Sequence, residues 1–115
     1  MTVLVVDAAV AVRSRLVSML REAGLDVHEA SSVLGALGVA RERPPRVIVV
    51  DIELPGHPGL SVISDLKVGV PEVALVVFTN ASPYRRACLA AGADNFLDKS
   101  SEFDRVADVV RELLT

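Results

Sequence analysis

The sequence predicts a doubly wound α/β domain, a parallel sheet covered by helices on both faces. Three observations carry that prediction. Short runs rich in Val and Ile alternate with longer segments of helical periodicity. The apolar fraction, 51% of 115 residues, is mostly Val, Ala and Leu and includes no Trp, a mix suited to strands buried on both faces beneath Ala-rich helices. Four of the five strand-like runs end at a residue able to do chemistry, namely Asp7, Asp51, Thr79 and Lys99. A chain of this length makes one domain, residues 1–115, around a single core.

The elements follow in order. Val3–Val6 is wholly apolar and stops at Asp7. Val12, Leu16, Met19, Leu20 and Ala23 then share one helical face, with Arg13, Arg15, Arg21 and Glu22 mostly off it, and Gly24 is the stop. Asp26–Ala30 is more polar and reads as an edge strand. Val33–Arg41 gives a second helix, closed by Pro44-Pro45. Arg46–Val50 and Val73–Phe78 read as buried strands, with a third helix over Leu60–Lys67 between them. Pro83–Ala91 is the fourth helix, with Pro83 near its first turn and Gly92 after it. Asn95–Leu97 is a short fifth strand. Phe103–Leu114 is the fifth helix, behind a capping-box pattern, Ser101-Glu102-Phe103-Asp104. No linker, low-complexity stretch or internal repeat interrupts the alternation, which is that of a doubly wound sheet.

Composition excludes several functions. A net charge of −3 leaves no electrostatic footprint for nucleic acid. No apolar run reaches the ~18 residues of a membrane span, and no signal peptide opens the chain. Cys88 is the one cysteine, so no internal disulfide forms, which fits a reducing cytoplasm.

In doubly wound sheets the site lies beyond the carboxyl ends of the strands, where strand order reverses. Asp7, Asp51, Thr79 and Lys99 therefore converge on one rim. An acid at a strand end is often only a helix cap, but two carboxylates, a hydroxyl and an ammonium in this order are a stronger signal. With "VLVVD", "VIVVDIELPG", "FTNAS" and "AGADNFLDKS", essentially the whole chain resembles the receiver domain of bacterial two-component response regulators. The resemblance implies a flavodoxin-like fold with strand order 2-1-3-4-5. It implies that Asp51 accepts a phosphoryl group, that Thr79 binds that group and that Lys99 pairs with it. Asp7 belongs to an acidic pocket for Mg²⁺, the Glu53 backbone carbonyl ligates the metal beside Asp51, and Phe96 is the aromatic switch. The partner it implies is a sensor histidine kinase or phosphotransfer protein. The domain is then a phosphoacceptor and not an enzyme, with the face of helix four, strand five and helix five as its output or homodimer surface.

The chemistry calls for these residue types. A carboxylate attacking a phosphoryl group brings anion to anion, and a hard cation held by oxygens relieves the repulsion. A lysine charge and a hydroxyl donor take up charge on the transferred oxygens. The product is an aspartyl phosphate. On this reading the new anion gives Thr79 a partner it lacked, Thr79 moves inward, and Phe96 changes rotamer in the space released.

Two positions depart from the family pattern. Ala8 stands where a second acid is usual, so Mg²⁺ binding is expected to be weak. Either Asp7 and Asp51 still hold the ion, with help from the Glu53 side chain, or the pocket is degenerate and the domain docks without phosphorylation. The intact Asp51, Thr79 and Lys99 favour the first. Ser100 stands where Pro often follows the lysine, and a trans bond is expected because cis costs about 3–4 kcal/mol without proline. An FMN carrier of the same fold is disfavoured, since "DAAVAV" has no Ser, Thr or Gly to cradle a phosphate. Other residues read plainly: His28 and His57 lie too far apart for a metal pair, Gly56 and Gly59 serve loop geometry, Cys88 is a core residue, and Arg85 and Arg86 start a solvated face that borders the switch. A chain ending at Thr115 is either a stand-alone receiver or one separated from an output domain.

Overall fold

The computed structural model describes residues 2–57 and 59–115. Strands β1 (Thr2–Val6), β2 (Asp26–Ala30), β3 (Val47–Val50), β4 (Ala74–Thr79) and β5 (Asn95–Asp98) form one parallel sheet in the order β2-β1-β3-β4-β5. That is the predicted order. Helices α1 (Val10–Glu22), α2 (Val33–Glu42), α3 (Gly59–Gly69), α4 (Arg85–Ala90) and α5 (Val106–Leu114) make the crossovers.

Strand side chains alternate between two cores, as the two-residue period requires. Leu4, Val6, Ile48, Val50, Leu75, Val77 and Phe96 pack under α2, α3 and Cys88 of α4. Val3, Val5, Val47, Val49, Val76, Phe78 and Leu97 pack under α1 and α5. Both faces are apolar, so the central strands read as continuous runs and not as alternations. Each such side chain contributes about 1.5–3 kcal/mol by leaving water. Cys88 is fully buried, as the sequence suggested, and burial pushes its thiol pKa up. Among the described residues no helix is long and apolar enough to cross a membrane.

The differences from expectation lie at element ends. Arg46 and Val73 fall just outside their strands, and Thr79 and Asp98 fall inside theirs. Helix four is shorter than the Pro83–Ala91 segment, because Ser82–Tyr84 forms a 3₁₀ turn before Arg85. Likewise Phe103–Arg105 is a 3₁₀ turn, so α5 begins at Val106. The capping box does not form at that turn, whose cap residue is Glu102 and makes no side-chain cap bond. The Glu102 carboxylate instead accepts the Asp98 amide at 3.0 Å and pairs with Arg105, closing the end of β5. Gly56 has φ +76°, the left-handed conformation expected beside the acceptor strand, but Gly59 does not need to be glycine on conformational grounds: only Gly24, Gly56 and Gly92 among the described glycines have positive φ.

Candidate functional site

Strand register brings the four polar residues together. Val6 is paired with Val50, so Asp7 and Asp51 leave adjacent strands side by side. Thr79 is paired with Asp98, one residue before Lys99. The ladder runs slightly past the strands: the Asp7 amide donates to the Ala30 carbonyl, Asp51 to Val6 and Lys99 to Thr79, at 3.0–3.1 Å. The backbones that carry these side chains are therefore fixed by sheet hydrogen bonds.

Lys99 occupies the centre. Its Nζ donates to Asp51 Oδ2 at 2.6 Å and to Asp7 Oδ2 at 2.7 Å. Asp7 is 2% exposed and Asp51 8%, so both carboxylates depend on this ammonium for charge compensation. Burial alone would lower the Lys99 pKa, but the hydrogen bonds and charges of Asp51 and Asp7 outweigh it, and the net shift is upward. The Lys99–Ser100 bond is trans, as expected, and the Ser100 hydroxyl and amide bind Asp98 Oδ1. Lysine thus reaches both acids without a following proline.

The remaining carboxylate oxygens are also engaged. Asp7 Oδ1 accepts the Ala9 amide at 2.8 Å. Ala9 is the N-cap of α1 and has no side-chain oxygen to give, so the strand-end acid serves the helix entrance while its other oxygen serves Lys99. Asp51 Oδ1 accepts the Glu53 amide at 2.9 Å and the Thr79 hydroxyl at 2.7 Å.

That last bond corrects one premise of the expected switch. Thr79 does not lack a partner: its fully buried hydroxyl already rests on Asp51, with Glu53 Oε1 at 3.1 Å. One hydroxyl proton cannot serve both carboxylates, and the shorter bond belongs to Asp51. Phe96 is also inward, 2% exposed within the α2–α3–α4 core. Arg85 is not simply solvated, since its guanidinium donates to the Phe96 carbonyl at 3.1 Å and lies 5.7 Å from the ring centroid.

Three contacts go beyond the sequence reading. Arg13 reaches back from α1 to the Asp7 carbonyl at 2.7 Å and to Glu29 at 2.9 Å. The Glu53 side chain turns toward Thr79. His57 pairs with Asp65 of α3 at 2.7 Å, while His28 lies 3.6 Å from Asp26 within β2. A cleft of about 300 Å³ opens beside Glu53, walled by Ile52, Leu60, Ala81 and Tyr84. As for a cation, Asp7, Asp51 and the Glu53 carbonyl are a hard oxygen set of the kind Mg²⁺ accepts alongside waters. Among the described residues no cluster of three His, Cys, Asp or Glu side chains is arranged to hold a metal. Ala8, half-buried at the rim, offers a methyl where a third carboxylate would complete one.

A five-stranded 2-1-3-4-5 sheet with acids, hydroxyl and lysine at its carboxyl rim defines a class of signalling receiver. The chain belongs to the response regulator receiver domain family, whose pattern matches residues 3–111. It is 35% identical to the probable transcriptional regulatory protein TcrX of Mycobacterium tuberculosis, over 98% of this chain and 49% of that protein. Among solved structures it resembles the response regulator TrrA of Thermotoga maritima in complex with Mg²⁺-BeF, with 28% identity, 97% of each chain covered and a TM-score of 0.86. It also resembles a Burkholderia pseudomallei response regulator with a phosphorylated aspartic acid and a calcium ion, with 26% identity, 96% of this chain and 71% of that one covered, and a TM-score of 0.80. The chain spans about half the length of curated relatives such as TcrX.

Proposed function

We propose that this domain takes a phosphoryl group from the phosphohistidine of a sensor kinase or phosphotransfer protein onto Asp51. The observation that carries the reading is the ammonium of Lys99 within 2.7 Å of both Asp7 and Asp51, with the Thr79 hydroxyl on the other Asp51 oxygen. An Asp51 oxygen attacks phosphorus, the P–O bond forms as the P–N bond breaks, and the electron pair returns to the donor imidazole. Lys99 neutralises the charge on the transferred oxygens, and Thr79 turns its proton from the carboxylate to the phosphoryl group. Mg²⁺, which Asp7, Asp51 and the Glu53 carbonyl would hold, supplies further charge neutralisation when bound. The likeness to TrrA with Mg²⁺-BeF and to the phosphorylated Burkholderia regulator supports the same use of the site here.

The signal leaves through Thr79 and Phe96. Thr79 ends β4, Phe96 lies on β5, and Arg85 of α4 holds the Phe96 carbonyl. A change in what Thr79 binds therefore biases the α4–β5–α5 face, which we assign as the output or homodimer surface. The relatives' names as transcriptional regulators fit a domain that controls an output. Incubation with acetyl phosphate and Mg²⁺, followed by intact mass, tests the assignment. One added phosphoryl group that disappears in Asp51→Asn supports it. A gain that survives Asp51→Asn refutes Asp51 as acceptor, and no gain under any condition leaves a docking module without phosphorylation.

A further inference from the structure

Away from the α4–β5–α5 surface, α2 and α3 expose an apolar cleft. Leu34 on α2 is 82% exposed and Val68 on α3 is 81% exposed, more than any other large apolar side chain described. Between them lies a cleft of about 530 Å³ whose walls include Leu37, with Asp65 and His57 also lining it. Its shape is built in. Leu37 packs over Gly69 of α3, where a Cβ would push its Cδ2 methyl aside, and Leu34 and Val68 also line the cleft.

We propose that this face binds a second copy of the chain, α2 packing antiparallel on the α2 of the other copy about a two-fold axis. Charge singles out the occupant. Each chain carries a net charge of −3, so two copies repel over most contacts. No charged residue occurs from Ser31 to Ala40, and Asp65, the carboxylate lining the cleft, is paired with His57 at 2.7 Å. Two like-charged molecules can therefore meet along this stretch of α2 without opposing charges within it. The ends of the stripe are complementary under a two-fold: Arg41 is exposed at the last turn of α2, and Asp65 lines the cleft beside Ser32 and Val33 at its first. Antiparallel packing brings Arg41 of one copy toward Asp65 of the other, twice, and opposes the helix dipoles favourably. Leu34, Gly38 and Arg41 share one helical stripe. Open space surrounds the Cβ position of Gly38, so it is a flat seat for Leu34 of the other copy.

Sedimentation velocity on the unphosphorylated chain, from about 10 μM to about 1 mM, tests the proposal in a range suited to a modest interface. A reversible dimer is expected. Leu34→Glu and Val68→Glu should each raise its dissociation constant at least about tenfold with circular dichroism and melting unchanged, since both side chains are solvent-exposed. Arg41→Glu should weaken the dimer, and Arg41→Glu with Asp65→Lys should restore it. A chain that stays monomeric throughout overturns the proposal. A dimer indifferent to Leu34→Glu does too, and assigns association to another face such as α4–β5–α5. Failure of the charge swap to restore association overturns the antiparallel arrangement. None of these outcomes depends on whether Asp51 is phosphorylated.

Discussion

Lys99 Nζ lies 2.6 Å from Asp51 Oδ2, and the two residues are 48 positions apart in the chain. With the bond to Asp7, this ammonium ties together the ends of β1, β3 and β5. It is both the counter-charge that lets two carboxylates stay buried and the cation proposed to receive phosphoryl charge.

Lys99→Met should therefore cost stability as well as activity. Removing one member of a buried ionic cluster leaves the others uncompensated, at roughly 3 kcal/mol. Urea unfolding without divalent cations should show that loss, and acetyl phosphate should label the variant far more slowly. An unchanged urea midpoint would mean that water already compensates Asp7 and Asp51.

Ala8→Asp should tighten Mg²⁺ binding. A unit charge pair at ~4 Å and an effective dielectric of ~20 is worth about 4 kcal/mol, opposed by repulsion from Asp7 and Asp51. A rise in affinity of roughly tenfold, about 1.4 kcal/mol, is expected in a Mg²⁺ titration. If the Ala8 protein binds equally tightly, the Glu53 side chain already supplies the missing oxygen.

Thr79→Val should separate labelling from switching. It removes the hydroxyl that rests on Asp51 while keeping the shape of a side chain that is fully buried. Phosphorylation at Asp51 should slow but persist, and the change in amide exchange across Pro83–Leu114 should vanish. An exchange response in that region as large as that of the unaltered chain would remove Thr79 from the route to Phe96.

Asp98 predicts an acid-side effect. Its pKa is held low, first by the Ser100 hydroxyl and then by the Ser100 amide. A depressed folded pKa contributes stability above the unfolded value, near 3.9, and that contribution is lost as pH falls through the folded value. Ser100→Ala should move the Asp98 titration upward in a carboxyl NMR experiment and narrow the loss toward pH 4. An unmoved titration would show that the backbone amide suffices.

Glu72 carries φ +69° in the turn between α3 and β4, closed by the Val73 amide on the Val70 carbonyl at 3.2 Å. Pro71 precedes it, and glycine is the usual residue at the third position of such a turn. Glu72→Gly should stabilise the fold by up to about 1 kcal/mol, the left-handed strain relieved less the added chain entropy. Thermal melting decides it, and a lower melting temperature would mean that the Glu72 side chain contributes more than its backbone costs.

The sequence by itself determined the sheet and the members of the rim, and its resemblance to the receiver family implied the strand order. Val3–Val6 and Val47–Val50 are too apolar to lie anywhere but between two helical layers, and in a parallel sheet their following acids, Asp7 and Asp51, must emerge at the same edge. Tertiary structure alone decided how those groups spend their bonds. Local pattern suggested a capping box at Ser101, but the chain enters a 3₁₀ turn whose cap residue is Glu102, and the Glu102 carboxylate closes β5 through the Asp98 amide. Nothing in "DAAVAVR" announces that Asp7 accepts the Ala9 amide with one oxygen and holds Lys99 with the other, or that Arg13 returns to the Asp7 carbonyl. Nor does "FTNAS" show that Thr79 already rests on Asp51. Burial patterns are periodic and can be read along the chain. Hydrogen-bond partners are chosen among groups tens of residues apart, in a site dry enough that each donor must find an acceptor, and that choice exists only once the strands are side by side.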